Sequence, residues 1–137
     1  MDFALKKLEQ GGFEVDKISP VFHSAAVECV PGTPAFLDVA VTGFWASSAR
    51  ELLSLTQSIE ISAGRPAQHS SRESRILDID IILFGSENIS LQDLTVPHPR
   101  AKLREFVLYP LCEIAPDRTF PDGTTVKAAL EALKNHK

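Results

Sequence analysis

Asp78 and Asp80 stand two residues apart inside the apolar run ILDIDIILF at 76–84. The run is short and rich in β-branched residues, which predicts a strand rather than a helix. Period-two alternation then places both carboxylates on one face and Leu77, Ile79, Ile81 and Leu83 on the other. At a strand rise of roughly 3.4 Å per residue, the two acids leave the backbone about 7 Å apart. Anions that close repel, and partial burial raises the cost of each charge. A divalent cation relieves both penalties, and magnesium is the usual guest of an oxygen-only donor set. The competing reading is a pair of solvated acids on an edge strand, or partners for nearby arginines.

Arginines are at hand. Arg65, Arg72 and Arg75 precede the pair, and Arg100, Lys102 and Arg104 follow it. Cations bracketing a carboxylate pair suit a small anionic ligand, phosphate first. The 137 residues carry a net charge of −4, which argues against wholesale binding to nucleic acid or acidic membranes. A hydrophobic content of 44% and a charged content of 23% predict one globular domain over 1–137. Cys29 and Cys112 are too few and too far apart for a metal framework. Their apolar flanks predict reduced core thiols in a cytoplasmic protein. The opening residues carry no signal-type apolar stretch, and no run reaches the roughly 18 apolar residues of a membrane span.

The elements that must position the pair can be read in outline. Phe3, Leu5 and Leu8 recur at helical spacing over 2–10, and Gly11-Gly12 stops that helix. An extended segment follows over 13–22, interrupted by Pro20, then a loop at 31–34 and a strand over 36–44. Ser48 and Glu51 have the spacing of a capping box, which opens a helix running to Gly64. Gln57 and Glu60 share a face of that helix. The polar stretch 66–74 is expected to be a flexible loop or lid leading into the aspartate strand. A hairpin to Ile89, a proline turn over 94–99, a helix over 101–114 that Pro110 bends or splits, and a helix over 126–133 complete the chain. The order α-β-β-α-β with added helices predicts an α+β fold, a sheet covered by helices on one face.

Three linked stretches, RILDIDIILFG at 75–85, LTVPHPR at 94–100 and REFVL at 104–108, closely resemble 6-hydroxymethyl-7,8-dihydropterin pyrophosphokinase. The similarity extends over about 2–134. It implies a ferredoxin-like antiparallel sheet and the transfer of pyrophosphate from ATP to the pterin hydroxymethyl group in folate synthesis, with AMP released. By motif position, Asp78 and Asp80 match the ligands of two magnesium ions, while Arg75, His98 and Arg104 match the phosphate clamp. Gln57, Glu60, Arg65, Arg72, Ile81 and Thr95 match positions around the nucleotide. Ser24, Phe36, Asp38, Asp78 and Phe106 match positions around the pterin, with Phe106 as the stacking ring. The implied partner is a small molecule, on a monomer or weak homodimer.

The chain also departs from the family pattern. The family's opening strand with Gly-Ser-Asn has no counterpart, so the first strand is expected to be missing and a sheet edge unpaired. Asp38 stands where the family has a pterin-binding asparagine, and a carboxylate accepts hydrogen bonds but donates none. In the lid, Ala67 replaces a basic residue, Arg72 a tryptophan, and Glu73-Ser74 a Gly-Pro pair. These differences keep a second reading open, a weak or inactive homologue that binds nucleotide or a protein partner.

Overall fold

A computed structural model describes residues 2–24, 36–64 and 77–135. Its elements are α1 (Asp2–Gln10), β1 (Glu14–Ile18), β2 (Phe22–Ser24), β3 (Phe36–Asp38), β4 (Val41–Phe44), α2 (Ala49–Ser62), β5 (Ile89–Ser90), β6 (Thr95–Val96), α3 (Glu105–Ile114) and α4 (Val126–Asn135). The fold is α+β, as the element order implied. Ser48 caps α2 as its spacing required: its Oγ accepts the Glu51 N–H at 3.2 Å.

Among the described residues the strands form three separate antiparallel pairs, β1–β4, β2–β3 and β5–β6, rather than the one sheet expected. Ser19 and Pro20 divide the first extended segment into β1 and β2, and Val39-Ala40 divides the second into β3 and β4. In β1–β4, Val15 faces Gly43 and Ile18 faces Val41, with a bulge between Val15 and Lys17. Gly43 is obligatory there: a Cβ would lie 2.3 Å from the Glu14 carbonyl and 2.5 Å from the Phe13 ring.

The strand predicted over 76–84 is a further correction. Among the described residues, 77–84 joins no ladder. A strand needs a neighbour, and among the described residues none pairs with this run, which lines one cleft together with 37–45. The run instead forms a seam between three hydrophobic cores. Leu77 and Ile79 pack on Ala4, Leu8 and Ile59 of α1 and α2. Ile81 and Phe84 join the core around Ala49, Leu94 and Val96. Ile82 and Leu83 meet the α3–α4 core, where Leu108 and Val126 are completely buried. Ile79 and Ile81 therefore belong to different cores, although simple alternation put them on one face.

The helix expected over 101–114 breaks at Arg104, not at Pro110. A 3-10 turn, Ala101–Leu103, ends at Arg104, whose φ of −125° and ψ of 115° are extended. Pro110 sits buried inside α3. It removes only the bond to the Phe106 carbonyl, in the helix's first turn, so the ladder survives. The hairpin expected to end at Ile89 runs from Ile89 to Val96.

Candidate active site

Asp78 and Asp80 are both exposed, while Leu77 and Ile79 are half-buried, so the expected alternation holds over 77–80. Two clefts meet at this stretch. The larger, about 1460 Å³, is walled by every residue of 37–45 and of 77–85, and Phe106, Val107 and Pro110 also line it. The smaller, about 330 Å³, is lined by Leu53, Ile79, Asp80, Ile81, Leu94, Thr95, His98 and the β5–β6 turn. Asp80 opens onto both clefts.

This division takes in only some of the residues singled out from the sequence: Glu60 and Arg104, expected near the nucleotide, line neither cleft. Asp38, Asp78 and Phe106, expected near the pterin, all line the larger cleft. Ile81, Thr95 and His98, expected near the nucleotide, all line the smaller one, although Ile81 borders both. Ser24 and Phe36 are cross-strand partners in β2–β3, as are Phe22 and Asp38. That hairpin docks on α3, with the Phe22 ring stacked on Tyr109 at 5.3 Å and 22°. Gln57 is exposed on α2 and lines neither cleft. Arg65, Arg72 and Arg75, together with Cys29, Ala67 and Glu73-Ser74, lie outside the described residues.

His98 is held by its own backbone. Its N–H donates to the Ile82 carbonyl at 3.0 Å, and its carbonyl accepts the Ala101 N–H at 3.1 Å. Its Nδ1 accepts the Arg100 N–H at 3.3 Å, so a neutral ring carries its proton on Nε2. A donor is thereby made available on the smaller cleft. The extended geometry at Arg104 brings its guanidinium to 5.3 Å from the centroid of the Phe106 ring. The expected clamp residue and the expected stacking residue are neighbours.

Lys102, grouped in the sequence with the cations after the aspartates, is committed elsewhere. Its ammonium pairs with Asp122 and lies 5.0 Å from the Phe120 ring centroid. That ammonium, with the Thr124 N–H, holds the Asp122 carboxyl at about 2, below its ordinary value. Arg50 forms a two-pronged pair with Asp93 at 2.9 and 3.0 Å, tying the start of α2 to the turn that borders the smaller cleft. The Arg50 guanidinium is correspondingly raised and the Asp93 carboxyl lowered, chiefly by that hydrogen bonding.

Among the described residues, the charged side chains lining the larger cleft are Asp38, Asp78, Asp80, Glu87 and Arg118. The sequence reading passed over Arg118, which also donates to the Gly85 carbonyl at 3.3 Å, and Gln92 and Asp93 at the hairpin tip. Nothing local in the sequence marks these three, since only tertiary contact brings them to the clefts. Among the described residues no three His, Cys, Asp or Glu side chains converge as a complete metal cage. Two exposed carboxylates in an acidic cleft nevertheless fit magnesium, which takes one or two protein carboxylates and fills its remaining positions with water and phosphate oxygens.

The site is thus that of a small α+β domain with a carboxylate pair at the junction of two clefts, one apolar-walled and aromatic, the other edged by a backbone-fixed histidine. Residues 1–116 match the family model for 7,8-dihydro-6-hydroxymethylpterin-pyrophosphokinase, and the chain belongs to that family. Three bacterial relatives bear the name 2-amino-4-hydroxy-6-hydroxymethyldihydropteridine pyrophosphokinase. The Synechocystis protein is 36% identical over 123 residues, covering 89% of this chain and 62% of the relative. The Pseudomonas aeruginosa protein is 43% identical over 82 residues, covering 60% and 50%. The Bacillus subtilis protein is 41% identical over 100 residues, covering 73% and 59%. The chain therefore spans between half and about three fifths of these relatives' lengths. Among the described residues no helix is long and apolar enough to cross a membrane.

Proposed function

We propose that this chain transfers a pyrophosphoryl group from ATP to 6-hydroxymethyl-7,8-dihydropterin, giving the pterin diphosphate and AMP in folate biosynthesis. The observation that carries this reading is Asp80 at the meeting of the two clefts. A group passed from nucleotide to pterin has to cross at such a junction.

In this reading Asp78 and Asp80 hold two magnesium ions. When bound, these supply charge neutralisation at the phosphates and acidify the attacking hydroxyl. His98 donates from Nε2 to a phosphate oxygen, and Arg75 and Arg104 complete the clamp. Ile81 and Thr95 border the nucleotide; the family resemblance alone assigns Gln57, Glu60, Arg65 and Arg72 to the same ligand. Phe106 stacks on the pterin, while Asp38 accepts from the N–H groups of its aminopyrimidinone edge. Ser24 and Phe36 lie at the same end of the β2–β3 hairpin. The hydroxymethyl oxygen bonds to Pβ as the bond from Pβ to the AMP oxygen breaks, and the hydroxyl proton passes to solvent. Positioning and charge stabilisation supply most of the rate.

The same proposal includes a cytoplasmic monomer or weak homodimer, a single domain over 1–137, and a ferredoxin-like sheet with one more strand between 41–44 and 77–84. Two observations support that strand. Thr42 Oγ1 is buried without a partner among the described residues, and Leu37 and Phe44 are 56% and 62% exposed along the larger cleft. The test of function is AMP release from ATP and Mg²⁺ with and without the hydroxymethylpterin. Release that depends on the pterin supports the enzyme. Nucleotide binding without turnover supports the non-catalytic homologue instead.

A further inference from the structure

Glu60 lies near the end of α2, beside Ile59, which is 2% exposed and packs against Leu77 and Ile79. Its Oε2 accepts the N–H of Ile79 at 2.7 Å, a short, part-buried, charge-assisted hydrogen bond. Ile79 is the one residue between Asp78 and Asp80. The helix thus grips the centre of the aspartate segment twice, by Ile59 against apolar side chains and by Glu60 on the backbone.

The grip matters because, among the described residues, no strand holds this segment. Among the described residues, 77–84 is in no ladder, and its other backbone bonds lie further along, Ile82 to His98 and Phe84 to Glu87. An anion is also a costly choice of acceptor here, since Glu60 adds a third negative charge near two carboxylates. Those three carboxylates do not converge as a metal site. Glu60 is turned to the backbone amide instead.

We infer that Glu60 is a positioning residue: by holding the Ile79 amide it sets where Asp78 and Asp80 stand, and so how well they take a cation. The catalytic consequence rests on the function proposed above, whereas the structural part does not. The two are separated by exchanging Glu60 for Ala and for Gln, because Gln keeps an acceptor oxygen and discards the charge.

The first measurement is amide hydrogen exchange at Ile79 by NMR, which needs no activity. Protection is expected to fall at least about tenfold in Glu60→Ala, the factor of one hydrogen bond to a charged acceptor, and to be largely kept in Glu60→Gln. Equal exchange at Ile79 in the wild type and Glu60→Ala overturns the inference. The Leu52 and Leu108 amides, which donate to the Ser48 and Arg104 carbonyls, report folding in the same spectra, and exchange collapsing at those sites as well as Ile79 also overturns it, as a general structural role. The second measurement is the Mg²⁺ concentration for half-maximal pyrophosphoryl transfer. It is expected to rise about tenfold in Glu60→Ala and to return within about threefold in Glu60→Gln. If Gln behaves as Ala does, charge rather than hydrogen bonding is at stake, and a direct metal or substrate contact replaces the positioning role. If the wild type transfers nothing, the proposed function fails, while the exchange result still decides the role of Glu60.

Discussion

Replacing Asp80 by Asn keeps the side chain's size and one carbonyl oxygen but removes the charge. Asp80 is exposed and joins no core, so folding stability should change by no more than about 0.5 kcal/mol. For a chain of this size that is a Tm shift of about 2 °C. The chemical effect should be far larger, because Asp80 faces both clefts and its partner acid is only two residues away. Losing half of a protein donor pair should forfeit several kcal/mol of charge stabilisation in phosphoryl transfer. At about 4 kcal/mol, turnover falls roughly 10³-fold. The assay is steady-state AMP formation at saturating ATP and pterin over a range of Mg²⁺, beside a thermal melt of the same sample. Asp78→Asn should act similarly, and the double variant should lose much less than the product of the two, since both acids serve one function. A variant that melts normally and retains activity within about tenfold of the wild type would refute the metal role of Asp80.

Three further outcomes are expected. Phe106→Ala should raise the pterin KM by about tenfold, through lost stacking and burial, while leaving ATP affinity within about twofold, because Phe106 lines only the larger cleft. Thr42→Val should raise stability by about 1 kcal/mol in denaturant melts, since it deletes a buried hydroxyl that has no described partner. A lower midpoint would show that something satisfies that hydroxyl. The Asp122 carboxyl, lowered to about 2 by Lys102 and the Thr124 N–H, should titrate there by NMR and move up towards the ordinary aspartate range in Lys102→Ala. The sign follows from linkage: the carboxyl is lower in the folded than in the unfolded chain. Its contribution is complete above the unfolded value of about 3.8 and is lost as pH falls through about 2.

What the sequence made legible was local. The Ser48–Glu51 box, the glycine stop after α1 and the exposure of Asp78 and Asp80 against Leu77 and Ile79 each depend on residues within a turn or two, and each is found. Asp38, Asp78 and Phe106 meet at the larger cleft and Thr95 and His98 at the smaller, while Gln57, Glu60 and Arg104 line neither. What escaped was non-local. A strand-like run cannot announce whether a neighbour will pair with it, and 77–84 has none among the described residues. Pro110 was the obvious breaker by local rules, yet α3 runs through it and the chain turns at Arg104 instead. Lys102 lay in a row of cations, but Asp122, twenty residues on, takes it out of the anion site. Glu60 was expected beside the nucleotide by resemblance, and its hold on the Ile79 amide shows only in the fold.

The most direct test of the account is calorimetry with a non-hydrolysable ATP analogue, with and without Mg²⁺, on the wild type and on the Asp78→Asn, Asp80→Asn double variant. The wild type should bind the analogue at least about tenfold more tightly when Mg²⁺ is present, and the double variant should lose that gain while melting normally. No uptake by the wild type, or the same Mg²⁺ gain in both proteins, would contradict the claim that this carboxylate pair grips a nucleotide-bound cation.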